Sequence, residues 1–340
     1  MTTGPSIWAV SDGRAGILNQ VKALVAALAE PERASKLAHI RSEAHRSEPL
    51  ILQPQGPQLL LRPDIWPAPL KALPKRQRDL LAPPWPDLWI AAGRRSIPYS
   101  SMMRELSGEK TLVVQTQDPK VDLDPFDLVI PPLHDELHGP NVLPILGSPT
   151  WFSKERIEEA RHQFNALAEQ DGHKVLVSLG GNSKTHAFTA ENATAIEQTL
   201  RDLAMQGKRL WITVSRRTPE PACILFRKLA GELGGVFWES EEADGSNPYV
   251  AFLSMCDVAL VTCDSANLIA DPAFFGKPIH LLRLDGGSER FDRLYQGYID
   301  RGALRWFLGD LNLWSYPPIR EAARAADEIV KMLLERHPRP

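Results

Sequence analysis

Cysteine is scarce in this chain, with only Cys223, Cys256 and Cys263 among 340 residues. A disulfide-stabilised secreted domain carries a denser and usually even set of cysteines, so that class is excluded. The three positions also lack the paired short spacing of a zinc or iron–sulfur ligand set. We therefore expect buried, reduced thiols that pack as small apolar side chains, and no metal site.

Long apolar runs are also missing, because no stretch approaches the roughly 20 residues needed to span a bilayer. A basic region followed by an apolar run, the mark of a secretory signal, is not visible near residue 1. The net charge is -3 and no nucleic-acid-binding motif is present, which predicts no nucleic-acid partner. We expect a soluble, cytoplasmic protein that contacts a membrane at most peripherally.

What the chain has in quantity is an alternation of short apolar runs and amphipathic segments. In the first half, strands are predicted at 7–10, 88–92, 111–115 and 126–130, and helices at 19–30 and 97–106. The strand runs are continuously apolar, which suits strands buried on both faces of a parallel sheet. Residues 49–86 interrupt the pattern with many prolines, and we expect loops and short helices there.

The same alternation restarts after a boundary near residues 147–149. Ser153 is suited to cap a helix that continues to about residue 169. Strands are predicted at 175–179, 210–214, 235–238, 258–262 and 279–282, the last being the final strand of the chain. Helices are predicted at 190–206, 221–233, 249–255, 267–275 and 321–334. The predicted fold class is therefore α/β, with two doubly wound Rossmann-like domains over residues 1–149 and 150–317.

Polar clusters follow most of these strands. In the first half they are Ser11-Asp12-Gly13-Arg14, Gly93-Arg94-Arg95-Ser96, Gln117-Asp118-Pro119 and His134-Asp135. In the second half they are Gly180-Gly181-Asn182-Ser183, Ser215-Arg216-Arg217-Thr218 and Cys263-Asp264-Ser265. Open parallel sheets bind ligands at the carboxyl ends of their strands. We therefore predict two polar sheet edges that face a common interdomain cleft suited to a phosphorylated ligand.

The second-half clusters carry groups that suit a nucleotide diphosphate. Glycines allow backbone N–H groups to approach a phosphate, and arginine guanidinium groups match its shape. The candidate donor or phosphate ligands are Gly180, Gly181, Asn182, Ser183, Ser215, Arg216, Arg217, Asp264, Ser265, Asn267 and Asp271. The alternatives are a plain strand-to-helix turn, a solvated basic turn, and a helix cap at Asp264 or Ser265. The loop is not a Walker A loop, because the Gly-Lys-Ser/Thr element is missing at the required spacing.

The first-half clusters offer candidates for a catalytic base and for acceptor contacts. Asp12, Asp118 and His134 each follow a predicted strand and each can accept a proton; the sequence favours Asp12 only marginally over the other two. Histidine is the residue type that titrates near neutral pH, although a single histidine is more often structural. The residues assigned to the acceptor side of the cleft are Gly13, Arg14, Gly93, Arg94 and Arg95.

Residues 59–81 combine apolar and basic side chains. Leucines and Ile65-Trp66 alternate there with Arg62, Lys71, Lys75, Arg76 and Arg78. Such a mixture can dock weakly and peripherally on an anionic membrane surface. The alternative is a proline-rich excursion packed on its own domain, and the prolines favour this alternative because they break any continuous amphipathic helix.

Taken together, the motifs resemble those of a known family. Its opening signature resembles Ser11-Asp12-Gly13-Arg14-Ala15-Gly16 with Asn19-Gln20, and its second resembles Pro86-Asp87-Leu88 with Gly93-Arg94-Arg95. The remaining motifs resemble Gln117-Asp118-Pro119, Ser215-Arg216-Arg217-Thr218, Asn247-Pro248-Tyr249, Asp264-Ser265, Gly276-Lys277-Pro278 and Arg290-Phe291. From about residue 7 to residue 307, the chain resembles bacterial members of the mitochondrial-fission-protein-like family, which is named for a plant protein.

That family is similar to GT-B glycosyltransferases, so the resemblance implies two Rossmann-like domains with a donor nucleotide sugar held mainly by the second. It also implies that a C-terminal helix, residues 318–336, packs back on the first domain. The implied activity is metal-independent transfer of a sugar from a nucleotide-diphosphate sugar to a lipid-linked or other cell-envelope acceptor. No cofactor is implied, and the implied location is the cytoplasm or the inner face of the cytoplasmic membrane. The alternative function is a non-catalytic adaptor with a GT-B fold.

The chain departs from the patterns of these proteins in two places. Asp271 stands where the family has a glutamate that would contact the donor ribose, and aspartate is one methylene shorter. Ile17 and Leu18 lie near the position of a Gly-His pair in the peptidoglycan N-acetylglucosaminyltransferase, so no base is carried over from that enzyme. A short-chain epimerase is not indicated, because its Gly-x-x-Gly-x-x-Gly and Tyr-x-x-x-Lys elements are absent.

Overall fold

The computed structural model describes residues 2–339, which form two compact units. Unit 1 contains the residues up to Trp151 together with those from Glu321 onwards, and unit 2 contains Phe152–Arg320. Each unit is built around one parallel sheet flanked by helices. The α/β class with two doubly wound sheets, predicted from the apolar runs, is confirmed.

The main sheet of unit 1 has five strands. They are β2 Ile7–Ser11, β4 Leu50–Ile51, β5 Leu88–Ala92, β6 Leu112–Thr116 and β7 Leu128–Ile130. Their order is β4-β2-β5-β6-β7, and every neighbouring pair is parallel. The register pairs Ser11 with Ala92, Ala92 with Thr116 and Thr116 with Ile130, so four strand ends share one edge. A separate antiparallel pair joins β1 Thr2–Thr3 to β3 Arg41–Ser42.

Helices cover both faces of this sheet. They are α1 Ala15–Ala29, α2 Pro31–Leu37, α3 Lys75–Arg78, α4 Ile97–Leu106 and α12 Glu321–Arg336. Short 3-10 helices span Pro57–Leu60, Pro63–Ile65, Pro69–Ala72 and Leu133–Asp135. Leu24 of α1 and Ile329 of α12 pack with Ile90 in one apolar cluster, while Leu52 and Leu73 of the proline-rich segment belong to the cluster on the other face. The short helices within 49–86 agree with the sequence prediction, whereas strand β4 at the start of this segment is not predicted.

Unit 2 has a six-stranded sheet. Its strands are β8 Lys174–Leu179, β10 Arg209–Val214, β11 Val236–Trp238, β12 Val258–Thr262, β13 Ile279–Leu282 and β15 Leu304–Trp306. The order is β11-β10-β8-β12-β13-β15, parallel throughout. Leu179 pairs with Val214, and Thr262 pairs with Leu282, so the strand ends again meet at one edge. A short antiparallel pair, β9 His186–Ala187 with β14 Asp285–Gly286, lies outside this sheet.

The helices of unit 2 follow its strands. They are α5 Lys154–Gln163, α6 Ala190–Met205, α7 Glu220–Glu232, α8 Glu241–Asp244, α9 Tyr249–Met255, α10 Ala266–Phe274 and α11 Glu289–Asp300, with a 3-10 helix at Asn165–Leu167. The start of α6 matches the prediction, because the Thr189 hydroxyl accepts a hydrogen bond from the Asn192 N–H in a capping box.

Several details of the predicted secondary structure are wrong. Helix α1 begins at Ala15 rather than residue 19, because Gly13 alone makes the turn at φ 87° and Gly16 lies inside the first helical turn. Ser153 does cap α5, but this helix ends at Gln163 rather than near residue 169. Strand β13 is not the final strand, since β15 follows and pairs with it. The three residues of β15 are too few to form a recognisable apolar run.

Candidate functional site

Three loops of unit 2, which follow β8, β10 and β12, are bonded to one another through Asp264. Its side chain is fully buried, and its Oδ2 accepts hydrogen bonds from the Gly181 N–H at 3.0 Å and from the Arg217 guanidinium at 2.7 Å. The Thr262 hydroxyl donates to Oδ1 at 2.7 Å. A buried carboxylate is stable only when it is paired and hydrogen-bonded in this way. Asp264 therefore acts as the joint of the polar edge rather than as a free ligand.

The two glycines of the β8 loop are required by close packing. A Cβ atom on Gly180 would lie 2.0 Å from Asp264 Oδ1, and one on Gly181 would lie 1.9 Å from the Arg217 carbonyl oxygen. Their N–H groups donate to Thr262 Oγ1 and Asp264 Oδ2, and the Asn182 N–H donates to the Arg217 carbonyl. These N–H groups therefore bond to protein atoms, whereas the sequence pattern predicts that they bind a phosphate.

The start of α10 lies directly beside this joint. Its N-cap, Ser265, makes no side-chain capping bond, and Asn267 lies in the first helical turn. The first N–H groups of a helix lack intrahelical partners and carry the positive end of its dipole. Arg217, bonded to the residue before the N-cap, is 41% exposed and adds a positive charge at the same place. This combination favours an anion.

Arg216 is the least restrained cation of this edge. It is exposed, and across residues 2–339 no hydrogen bond or ion pair holds its guanidinium group. Arg217, by contrast, donates to the Asn182 carbonyl at 3.1 Å in addition to its bond with Asp264. Ser215 accepts from the Arg217 N–H through its hydroxyl and so shapes the turn. Arg216 is thus free to contact a ligand, while Arg217 and Ser215 hold the loop.

Polar side chains of the β8 loop also shape the loop from within. The Asn182 amide oxygen accepts from the Phe188 N–H at 2.8 Å. The Ser183 hydroxyl accepts from the Thr185 and His186 N–H groups at 3.3 and 3.0 Å. Both side chains therefore have a structural use within the loop.

Asp271 forms a hydrogen bond that connects two helices of unit 2. The Tyr249 hydroxyl donates to Asp271 Oδ2 at 3.0 Å, and the pKa of this half-buried tyrosine is raised by desolvation and by the carboxylate. Asp271 thus joins α10 to α9 in addition to any ligand role. Tyr249 belongs to the Asn247-Pro248-Tyr249 motif, and nothing in the sequence pattern connects that motif with Asp271.

His186 is a buried titratable group behind the loop. Its Nδ1 lies 3.0 Å from the Thr185 hydroxyl and its Nε2 lies 3.2 Å from the Tyr295 hydroxyl. Burial lowers the pKa of His186, and the nearby Asp264 charge only partly opposes this effect. Burial lowers the pKa of His280 in the same unit as well.

We therefore expect unit 2 to lose stability in mild acid. As the pH falls below the ordinary histidine pKa of about 6.5, the unfolded chain takes up a proton that folded His186 does not, so unfolding is favoured. The loss continues until the pH reaches the lowered pKa, with a slope of at most about 1.4 kcal/mol per pH unit for each histidine. Urea unfolding over this pH range should show a shallower slope in His186→Gln. Equal slopes in His186→Gln and in the wild type would contradict the prediction.

In unit 1 a pocket of about 640 Å³ opens at the carboxyl edge of the sheet. Its lining residues are Arg14, Ile17, Arg62, Pro63, Gly93, Arg94, Ile97, Gln115, Thr116, Gln117, Asp118, Pro119 and Lys120. Gln117, directly after β6, has a φ of 68°, a strained value for a residue with a side chain. Such strain is concentrated at functional sites, which marks this edge as the candidate site of unit 1.

The sequence-predicted residues of unit 1 divide into two groups. Arg14, Gly93, Arg94 and Asp118 line the pocket, while Arg95 and His134 are not among its lining residues. Gly13, the turn before α1, lies outside the lining as well. Only some of the predicted strand-end residues of unit 1 therefore lie together at this pocket.

The three candidate bases differ in their surroundings. Asp12 is buried, and its Oδ2 binds the Arg14 guanidinium at 2.6 Å. Asp118 accepts from the Lys120 N–H at 2.8 Å and pairs with its ammonium group at 2.5 Å. His134 is buried, with Nε2 4.0 Å from Asp135. Each carboxylate is thus held in place by a cation, and only Asp118 lines the pocket.

Several residues of these sites are not among the ligands and bases predicted from the sequence. Thr218 donates to the Leu179 carbonyl, and Thr262 bonds both Gly180 and Asp264. Arg62 and Lys120 line the unit 1 pocket. Thr218 belongs to a predicted cluster and Thr262 and Lys120 adjoin one, so hydroxyls and cations within four residues of a strand end are the available signal.

Two other kinds of site are absent from the described residues. Within residues 2–339, no group of three or more His, Cys, Asp or Glu side chains is placed to hold a metal ion. No described helix combines the length and the apolar character needed to cross a membrane.

Sequence comparison identifies relatives along most of the chain. The family model described as Mitochondrial fission ELM1 matches residues 15–333. The mitochondrial fission protein ELM1 of Arabidopsis thaliana is 27% identical over 300 residues, covering 79% of this chain and 69% of the plant protein. Uncharacterized protein RP120 of Rickettsia prowazekii is 24% identical over 376 residues, covering 97% of this chain and 99% of that protein.

Solved structures resemble the fold at low sequence identity. The UDP-GlcNAc 2-epimerase of Methanocaldococcus jannaschii matches with a TM-score of 0.53 and 12% identity, covering 97% of this chain and 99% of that one. A structure of the Methanocaldococcus jannaschii enzyme in complex with UDP-GlcNAc and UDP matches with a TM-score of 0.51 and 14% identity, with the same coverage. Likeness at this level shows the fold alone, which is the predicted GT-B-like α/β fold.

Proposed function

The chain belongs to the mitochondrial fission ELM1 family, and we propose that it is a glycosyltransferase that uses a nucleotide-diphosphate sugar and a cell-envelope acceptor without a metal ion. The observation that carries the proposal is the polar edge of unit 2. There Asp264 ties the β8 and β10 loops to the start of α10, whose N-cap side chain makes no capping bond. An exposed, unrestrained Arg216 stands on the β10 loop.

This edge supplies the charge that the departing group requires. During transfer an acceptor oxygen bonds to the anomeric carbon, the bond to the diphosphate breaks, and the diphosphate leaves with the electron pair. The developing negative charge is stabilised by the positive end of α10 and by Arg216 and Arg217. Arg217 is already oriented by Asp264, so little reorganisation is needed when the charge develops.

The acceptor proton needs a base, for which we propose a carboxylate of unit 1. Asp12 and Asp118 are the carboxylates at that sheet edge, and Asp118 lines the pocket. We assign Asp118 as the base and Asp12 as the residue that orients Arg14 through their 2.6 Å ion pair. The location that goes with this function is the cytoplasm, next to the envelope acceptor.

Replacing Arg216 by alanine tests the donor site. We expect the affinity for the donor to fall about 10–100-fold, because hydrogen bonds to a charged group contribute roughly 1.5–3 kcal/mol. UDP-GlcNAc is the first donor to test, since the Methanocaldococcus jannaschii complex contains it, followed by GDP and dTDP sugars. The measurement is the ligand-induced rise in melting temperature of the full chain, which follows the ligand concentration relative to Kd.

Arg209→Ala is the matched control for Arg216→Ala. Arg209 is exposed and opens β10, whereas Arg216 follows the end of the same strand, so the two lie at opposite edges of the sheet. The control should bind the donor as the wild type does. If no nucleotide sugar raises the melting temperature of the wild type at millimolar concentration, the proposal fails.

The adaptor function predicts a different result. The family name leaves open whether its members transfer sugars or recruit a partner, and an adaptor that kept the donor site would bind without turnover. Release of nucleoside diphosphate on addition of envelope extract supports the transferase. Donor binding with no release, and with retention of a protein partner by Arg216→Ala, supports the adaptor.

A further inference from the structure

The most exposed apolar surface of unit 1 lies on three consecutive 3-10 helices, residues 57–72, which we call the strap. Leu60 is 89% exposed, Leu61 40% and Ile65 58%. Isolated exposed leucines are common, but three within six residues on one short segment form a patch. No described part of unit 1 covers them.

The strap is anchored, so this exposure is not a sign of loose chain. Two of its own residues, Pro63 and Trp66, are buried, and the Trp66 indole N–H donates to the Leu61 carbonyl at 3.3 Å. The Tyr99 hydroxyl of α4 donates to the Pro69 carbonyl at 3.1 Å. Anchored from below, the strap presents Leu60 and Ile65 outward at fixed positions.

Basic residues flank the exposed apolar side chains along the chain. Residues 57–81 contain five basic residues and two acidic ones, although the whole chain has a net charge of -3. The basic residues, all exposed, are Arg62, Lys71, Lys75, Arg76 and Arg78, and Arg62 is paired with Asp64 at 2.8 Å. A segment that combines exposed apolar side chains with an excess of cations fits the interface of an anionic bilayer, whose surface attracts them.

The strap is also bonded to the pocket of unit 1. The Arg94 guanidinium donates to the carbonyls of Leu59 and Leu61 at 3.0 and 2.6 Å, on either side of Leu60. Arg94, Arg62 and Pro63 all line the pocket. Within residues 2–339, Arg94 has no carboxylate partner, so its positive charge is not neutralised by an acid. The pocket thus presents a cation for an anionic group immediately next to the apolar patch.

We propose that the strap docks on an anionic bilayer, with Leu60, Leu61 and Ile65 in the interface, and that the phosphate-bearing headgroup of a lipid enters the pocket beside Arg94. The occupant is a membrane lipid rather than free phosphate, because the Arg94 guanidinium is hydrogen-bonded to the strap on either side of the exposed Leu60. In calling this lipid the acceptor, the inference rests on the proposed function. The docking itself depends only on the strap and the pocket.

Vesicle binding of the full chain tests this proposal. Co-sedimentation with phosphatidylcholine vesicles is compared with co-sedimentation with vesicles that also contain phosphatidylglycerol. We expect tighter binding to the anionic vesicles than to the neutral ones, weakened by salt, and weakened about tenfold or more by Leu60→Ser, because this variant removes an apolar side chain from the interface. Leu308→Ser, in unit 2, is the matched control because Leu308 is also 89% exposed. It should bind as the wild type does.

A second variant tests the pocket separately. Arg94→Gln should reduce the preference for anionic over neutral vesicles, whereas Leu60→Ser should weaken binding without changing that preference. Equal binding to both kinds of vesicle, equal losses in Leu60→Ser and Leu308→Ser, or complete competition by inorganic phosphate would each overturn the proposal. Donor-induced melting shifts measured in the same variants should stay at the wild-type value, so a failure of membrane docking is distinguishable from a failure of the donor site.

Discussion

Replacing Gly181 by alanine is expected to destabilise unit 2 by about 3 kcal/mol or more, which lowers its melting temperature by about 6–12 °C. The added Cβ would lie 1.9 Å from the Arg217 carbonyl oxygen and 2.4 Å from the Thr218 nitrogen, both backbone atoms. Backbone cannot rotate away as a long side chain can. The β8 and β10 loops must therefore separate. This movement breaks the bond from the Asn182 N–H to the Arg217 carbonyl and the bond from the Arg217 guanidinium to the Gly181 carbonyl.

Gly231→Ala provides the control for this prediction. Gly231 lies in α7, and a Cβ atom added there would meet no atom within 4 Å outside its own stretch of helix. Alanine should stabilise the helix there by roughly 0.5–1 kcal/mol, a change of opposite sign. Hydrogen exchange of the two variants should show faster exchange at the ends of β8 and β10 in Gly181→Ala alone. A melting temperature within a degree or so of the wild type in that variant would contradict the packing argument.

Removal of the Asp264 carboxylate is the second large change. Asp264→Ala leaves the Gly181 N–H and the Thr262 hydroxyl without their acceptor and releases Arg217. Because Arg217 is partly exposed, it can turn to water, so the main loss is the buried hydrogen bonds. We expect unit 2 to lose about 3–4 kcal/mol, measured by urea unfolding followed with hydrogen exchange.

Asp257→Ala is the matched comparison for Asp264→Ala. Asp257 immediately precedes β12 and Asp264 follows its end, but Asp257 is 42% exposed and accepts one bond from the Lys174 N–H at 2.7 Å. Its loss should destabilise the unit by about 1 kcal/mol. Similar losses in the two variants would show that Asp264 is not the joint of the loops.

Much of the fold is predictable because buried parallel strands produce a simple sequence pattern, a short apolar run. The runs ending at Ala92, Val214 and Thr262 are continuously apolar, and each coincides with a strand. Strand β15 is not predicted, because Leu-Arg-Trp is short and contains an exposed arginine. A helix boundary is predicted wrongly where a glycine such as Gly16, which suggests a turn, lies inside the helix.

The location of the polar edge of unit 2 is predictable, but the hydrogen bonds within it are not. Parallel topology alone brings the ends of β8, β10 and β12 to one edge, so polar residues after these strands meet. The bond from Gly181 to Asp264 joins positions that are 83 residues apart, and no local pattern reveals it. For the same reason the sequence pattern predicts ligand contact for Gly180 and Gly181. In the structure these glycines allow the β8 loop to pack closely against Asp264 and Arg217.

The strap shows a different limit of prediction from the sequence. Prolines remove the helical periodicity by which exposed and buried side chains are usually separated. The two sequence interpretations, packing on the domain or docking on a membrane, therefore looked exclusive. The structure places Trp66 inward and Leu60 outward on the same segment, so part of the strap packs and part is exposed.

The chain path of unit 1 has a consequence for biosynthesis. Helix α12 contributes Ala322, Ala325, Ile329 and Leu333 to the buried core of unit 1, yet it follows all of unit 2 in the sequence. A ribosome therefore finishes unit 2 while one apolar face of unit 1 still lacks its helix. Because domains fold as units during translation, unit 2 is expected to mature first, and nascent unit 1 is the part that chaperones must shield.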